Sequence, residues 1–199
     1  KNKVKIGANV WVRDQDVNNP DVFVLAKLQG IAGRNCQVQV VATKECFETD
    51  AYFPANPPDQ LHSDHTALLH LSDATLLANT KARYIEDDIY TYVGPILVSV
   101  NPFKYIPRLY APDLMNECKK FAPGHPERPA HTFSMAEAAF RPLAKTGTSQ
   151  SLVVSGESGA GKTEVNKQCT NYPTWRASAE HSDLAKRILQ SNPIPEALG

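Results

Sequence analysis

Nine consecutive residues, Gly156-Glu157-Ser158-Gly159-Ala160-Gly161-Lys162-Thr163-Glu164, have the types and spacing to hold a polyphosphate. They satisfy G-x-x-x-x-G-K-[ST], the phosphate-binding loop, in which Gly156 and Gly161 frame the loop and Lys162-Thr163 close it. Glycines at 156, 159 and 161 admit positive φ, so successive N–H groups can converge on one centre. The positive end of a following helix adds to those donors. Lys162 would bring a compact charge to the β- and γ-phosphates, and the Thr163 hydroxyl would ligate Mg²⁺. The candidate site therefore comprises Gly156, Glu157, Ser158, Gly159, Ala160, Gly161, Lys162 and Thr163, with Thr163 as the metal ligand. An acid beside a phosphate repels it unless turned away or paired, so the carboxylates of Glu157 and Glu164 are read as structural. The plain alternative is a glycine-rich turn without a ligand.

Such a loop needs a strand before it and a helix after it. Residues 149–155 are polar and then apolar, with Val153 and Val154 adjacent, which predicts a buried strand running into the loop. Beyond Thr163 the pattern is helical as far as Tyr172.

Further back the chain divides in character. The first fifty-odd residues read as short strands: Val10 and Val12 flank Trp11, Val22-Phe23-Val24-Leu25 is apolar, and Val38 and Val40 alternate with glutamines. Turn signals at Asn18-Asn19-Pro20, Gly30 and Gly33-Arg34-Asn35 separate them, a spacing that suggests a small barrel. Asn56-Pro57-Pro58-Asp59 then reads as a linker. After it the period changes. Ser72 or Asp73 caps a helix through Tyr84, residues 89–93 and 96–100 are β-rich, and Pro112 opens a helix with Leu114, Met115, Cys118 and Phe121 on one side. Gly124, Pro126 and Pro129 mark a loop. Ser134-Met135-Ala136-Glu137 fits a capping box that opens a further helix. A last short helix is expected at about 183–190.

Composition bounds the function. The 42% hydrophobic and 21% charged residues are those of a soluble globular chain, and 21 Lys+Arg balance 21 Asp+Glu. A neutral balance gives no global attraction to nucleic acid or to anionic membrane. No apolar run approaches the roughly 20 residues of a membrane span, and Lys1-Asn2-Lys3 leads into no signal-peptide core. Cys36, Cys46, Cys118 and Cys169 form no C-x-x-C pair, so they read as buried thiols of a reducing compartment. His62, His65 and His70 read as surface or capping residues and not as metal ligands.

The residues resemble one family, the myosin motor domain. The loop at 156–164 is similar to that family's phosphate loop at every position. The run Tyr90-Thr91-Tyr92-Val93-Gly94-Pro95-Ile96-Leu97-Val98-Ser99-Val100-Asn101-Pro102-Phe103-Lys104 is similar to the strand entering its purine-binding loop. Pro107 and Tyr110 complete that loop with the spacing of class V and plant-type members. His131-Thr132-Phe133, Ala136, Ala138-Ala139 and Arg141 resemble the helix before the phosphate-loop strand. Ile188-Leu189-Gln190-Ser191-Asn192-Pro193 and Glu196-Ala197 resemble the segment upstream of switch I. Val10-Trp11-Val12 and Tyr52-Phe53-Pro54 resemble the amino-terminal SH3-like barrel.

The resemblance implies an α/β chain with an SH3-like small β-barrel at 6–54. It implies next, at 61–199, the first, incomplete part of a P-loop NTPase motor domain with a mixed central sheet. It also implies an actin-based motor that binds ATP with Mg²⁺, with Asn101, Pro102 and Tyr110 lining the adenine pocket. Read without it, Asn101-Pro102 is a strand-ending turn. A cytoplasmic, cytoskeletal setting is implied, without nucleic acid or membrane insertion. Actin filaments and light chains would bind through regions outside these residues, the light chains through the lever arm. Switch I would begin just past Gly199 and switch II far beyond, so these 199 residues are expected to hold ATP without turning it over.

Three prolines depart from the family pattern. Pro142 falls inside the helix opened at Ser134, and Pro173 and Pro195 stand where leucine is usual. An interior helix proline costs about 3 kcal/mol, so the helix after the loop is expected to stop or kink at Pro173. The alternatives to a divergent motor are a non-catalytic or degenerate nucleotide-binding remnant, and an unrelated P-loop kinase or ATPase.

Overall fold

The computed structural model describes residues 4–16, 19 and 21–178. The chain groups into two compact units, Lys1–Arg83 and Tyr84–Gly199. The readings at 183–190 and 188–197, Pro195 among them, lie outside the described residues, as do Asn18 and Pro20 of the first turn.

Five antiparallel strands build the first unit: β1 (Asn9–Arg13), β2 (Phe23–Ala32), β3 (Asn35–Val40), β4 (Cys46–Thr49) and β5 (Phe53–Pro54), ordered β4-β3-β2-β1-β5. Alternation decides which side is apolar. Val10 faces Ala26, Val12 faces Val24 and Leu28 faces Val38 across the ladders. Val10, Val12, Ala26, Leu28 and Val38 are fully buried together with Cys36. Each such Val or Leu contributes about 1.5–3 kcal/mol of burial.

Gly33, at φ 64°, supplies the left-handed residue of the two-residue β2–β3 turn, as its position predicts. Gly30 does not end a strand. It lies inside β2 beside a register shift between Leu28 and Gly30, where a bulge lets the strand continue to Ala32.

The helix α1 (Asp73–Ile85) is capped reciprocally by Ser72. The Thr75 N–H donates to Ser72 Oγ at 3.3 Å and the Ser72 N–H to Thr75 Oγ1 at 2.9 Å. His65 is not a surface histidine. It is buried, its Nε2 lies 3.3 Å from Thr80 Oγ1, and burial lowers its pKa.

In the second unit β6 (Tyr90–Val93) and β7 (Ile96–Ser99) form a hairpin turned by Gly94 at φ 60°. Three helices follow: α2 (Pro112–Lys120), α3 (Thr132–Thr146) and α4 (Lys162–Ser178). Pro112 starts α2 as its rigid φ favours. The core joins Cys118 of α2, Phe133 and Ala136 of α3 and Tyr172 of α4, with Tyr110, Leu114, Met115 and Trp175 against it.

Several expectations need correction here. No strand forms over 149–155, where Val153 is 90% exposed. A strand needs a hydrogen-bonded neighbour, and no described segment pairs with this one. The only sheet among the described residues of this unit is the antiparallel β6–β7 hairpin, so the expected mixed central sheet is not found there.

The helix α3 opens at Thr132, two residues before the predicted box. His131 caps it, its Nδ1 accepting the Phe133 N–H at 3.0 Å. Ser134 and Glu137 are then buried inside the helix, and Glu137 serves other partners.

Nor does α4 stop at Pro173; it runs on to Ser178. Ala177 beyond the proline is fully buried with Phe140 of α3, and this packing offsets the lost backbone bond. The hydroxyls of Thr170, Thr174 and Ser178 donate to the carbonyls of Asn166, Thr170 and Thr174 along the same helix. Pro142 is likewise carried inside α3, which ends at Gly147 in the left-handed conformation. The thiols also divide: Cys36 and Cys118 are buried, whereas Cys46 is exposed.

Candidate functional site

The loop at 156–161 leads directly into α4, so Lys162 is the helix's first residue and Thr163 its second. Gly159 (φ 78°) and Gly161 (φ 91°) occupy the left-handed region, where a side chain is strained. Gly156 does not. Its requirement is space, because a Cβ there would come within 3.1 Å of Ala160 Cβ. The Ala160 N–H donates to Glu157 O at 3.2 Å and the Val165 N–H to Gly161 O at 3.1 Å, joining a closed turn to the helix.

Lys162 folds back over this turn. Its Nζ donates to Gly156 O at 2.9 Å and to Glu157 O at 2.8 Å, which holds the ammonium at the mouth of the loop. Ser158 and Thr163 are exposed. Glu157 takes part through its carbonyl, and the Glu164 carboxylate accepts from Gln168 Nε2 at 2.6 Å. A loop with a tight glycine cradle, a tethered ammonium and an exposed hydroxyl in the first helical turn fits a Mg²⁺-bound polyphosphate.

A cavity of about 340 Å³ lies beside the loop, within the size range of small-molecule pockets. Asn101, Pro102 and Tyr110 line it together with Ala160, Gly161, Glu164 and Val165. Residues 50 to 64 positions apart in sequence thus line one cavity. The remaining candidates, Gly156 to Gly159, Lys162 and Thr163, lie in the adjoining loop and helix start and not in the cavity lining.

Asn101 is engaged at both ends of its amide. Nδ2 donates to Gly159 O at 2.7 Å, and Oδ1 accepts the Phe103 N–H at 3.0 Å. Its amide is thereby committed to bracing one loop against the other. Tyr110 presents its ring to the cavity while packing at 5.7 Å from His131 and 6.0 Å from Phe133, and its hydroxyl meets that of Tyr90 at 2.9 Å. Burial raises the Tyr110 pKa first, and Glu164 adds to the rise against the opposing Tyr90 bond.

Several supporting residues had no legible signal. Tyr84 donates to Pro102 O at 3.1 Å, a bond that nothing in an amphipathic helix pattern announces. His131 holds its ring neutral, with a pKa lowered to about 3 by burial, and lies edge-on to Tyr90 at 4.7 Å and tilted against Phe133 at 4.5 Å. Phe103 (φ 49°) and Arg108 (φ 64°) are left-handed without being glycine. Strain of this kind costs of order 1–3 kcal/mol per residue and collects in functional loops.

An α/β unit with a glycine loop at a helix start and a cavity beside it is an architecture suited to holding a small ligand. The chain belongs to the myosin head family: the family described as Myosin head (motor domain) matches residues 62–199. It is similar to Myosin-7 of Arabidopsis thaliana, 36% identical over 202 residues, covering 99% of this chain and 11% of that protein. Myosin-13 and Myosin-14 of the same plant are each 37% identical, covering 98% of the chain and 13% of theirs. The chain therefore spans only about an eighth of the length of these relatives. No helix among the described residues is long and apolar enough to cross a membrane.

Proposed function

We propose that this chain is the ATP-gripping part of an actin-based, cytoskeletal motor, with residues 156–163 on the triphosphate and residues 101–110 around the adenine. One observation carries the reading: a single cavity is lined by Asn101, Pro102 and Tyr110 together with Ala160 and Gly161. Backbone N–H groups of the loop and the positive end of α4 would take the phosphate oxygens. Lys162 adds a point charge already tethered at the loop mouth. The Thr163 hydroxyl would hold Mg²⁺, which when bound neutralises part of the triphosphate charge. The apolar wall and the Tyr110 ring suit a purine face. Residues 6–54 form on this reading an SH3-like barrel, and residues 61–199 the opening part of the motor head. Actin and ATP are its partners in the complete protein.

The test is binding of a fluorescent ATP analogue to the 199-residue chain with and without Mg²⁺. Saturable binding, strengthened by Mg²⁺ and weakened at least about tenfold in Lys162→Ala, is expected. Equal binding by the two proteins overturns the reading.

A further inference from the structure

Glu137 is 1% exposed, lies in α3 and has no part in the site so far described. Two helices converge on its carboxylate. Arg141 Nε donates to Oε1 at 2.8 Å from the next turn of α3, while the Tyr172 hydroxyl donates to Oε2 at 3.0 Å from α4. Arg176, one turn further along α4, places Nε 3.4 Å from the same Oε2. Its guanidinium lies 5.3 Å from the centre of the Phe140 ring. Arg141 reaches on to α2, where Nη2 donates to Lys119 O at 2.7 Å. Buried carboxylates are costly unless so satisfied, and breaking such a group exposes the full cost.

The consequence lies at the other end of α4. That helix carries Lys162 and Thr163 in its first turn and Tyr172 about 15 Å along its axis. Its polar residues 166–170 offer little apolar face, and residues 149–155 before the loop are unpaired. Beyond the Asn101 bond to the loop ahead of it, α4 is held in rotation and axial position by its contact with α3. Part of that contact is apolar, Tyr172 stacked at 5.5 Å on Phe133 and Ala177 beside Phe140. Apolar packing permits small sliding and rotation, whereas the directional Tyr172 bond to Oε2, reinforced by the Arg176 charge beside the same oxygen, does not.

We infer that Glu137 is a positioning residue for the phosphate grip: it sets α4 so that Lys162 and Thr163 stand where a nucleoside triphosphate needs them. The inference rests on the proposed nucleotide site, and a helix displaced by an ångström at its anchor misplaces the grip at its start.

The test compares affinity for a fluorescent ATP analogue with Mg²⁺ in the 199-residue chain and in Glu137→Gln, Tyr172→Phe, Lys162→Ala and the double variants with Lys162→Ala. Glu137→Gln keeps the side-chain shape and removes the charge; Tyr172→Phe removes one oxygen from α4 and leaves the Arg141 pair intact. Each is expected to weaken binding on the order of tenfold, and to add less than about twofold once Lys162 is already alanine. That non-additivity separates positioning from general loosening, which lowers affinity by the same factor in both backgrounds. Unchanged affinity in folded Glu137→Gln or in Tyr172→Phe overturns the inference, as does full additivity. Should Glu137→Gln lose its helical circular dichroism, Tyr172→Phe decides alone. If the unsubstituted chain itself fails to bind the analogue, it is the nucleotide site that fails.

Discussion

The first unit and the second obey sequence rules to different degrees. In β1 and β3 the residues with strong β preference alternate, and Val10, Val12 and Val38 are fully buried where alternation puts them. In the second unit two helices contain prolines, Pro142 and Pro173, and an apolar run at 152–154 forms no strand. Local preference and packing agree in one unit and conflict in the other. Where they conflict, packing wins: α4 continues because Tyr172 and Ala177 are buried against α3.

Each unit carries its own reporter for breaking this contrast, Trp11 in β1 and Trp175 in α4. The largest effect belongs to the first unit. Leu28→Ala should cost about 2–5 kcal/mol, because the site is fully buried among branched neighbours with little room to collapse. Urea unfolding followed by Trp11 fluorescence in a Trp175→Phe background reads it; a cost under about 1 kcal/mol would remove the ordered core from the account.

In the second unit the sign reverses. Pro173→Ala should stabilise α4 by up to about 3 kcal/mol, since the helix already runs through this position and alanine restores an N–H to the ladder. Trp175 fluorescence in a Trp11→Phe background measures that gain, and a loss of stability would mean that the proline ring is itself packed.

The smallest effect is acid sensitivity. Buried His131 binds its proton only at about pH 3, against 6.5 for an ordinary histidine. Its contribution is complete above about pH 6.5 and is lost as pH falls toward 3, because the unfolded chain takes up the proton first. The slope approaches about 1.4 kcal/mol per pH unit. Asparagine at 131 can still cap α3 but does not titrate, so His131→Asn should flatten the decline between pH 7 and 5.5 in Trp175-monitored urea curves.

Much of the fold was legible because its causes are local. The alternation around Trp11, the Gly33 turn and Pro112 at a helix start each act within a few residues. The loop at 156–164 was legible for the same reason, although Gly156 turned out to need space and not a positive φ. What escaped depends on distant partners. The Ser134 box was displaced by a local competitor, the His131 ring, but Glu137 was then drawn to Tyr172, 35 residues away. The bond from Tyr84 to the Pro102 carbonyl is of the same kind. Residues 149–155 failed in the opposite sense: their composition suits a strand, but strand formation is a property of pairs.

The Asn101 to Gly159 bond spans 58 residues, whereas the β2–β3 turn closes over two. Closing a loop that long costs about 3–4 kcal/mol of chain entropy, and the cost falls before the contact is rewarded. Between residues 101–110 and 160–165, which line one cavity, lie α2 and α3, and their formation shortens the path that must close. By loop-closure entropy the cavity is therefore a late closure, and a destabilised chain loses it before it loses its local turns.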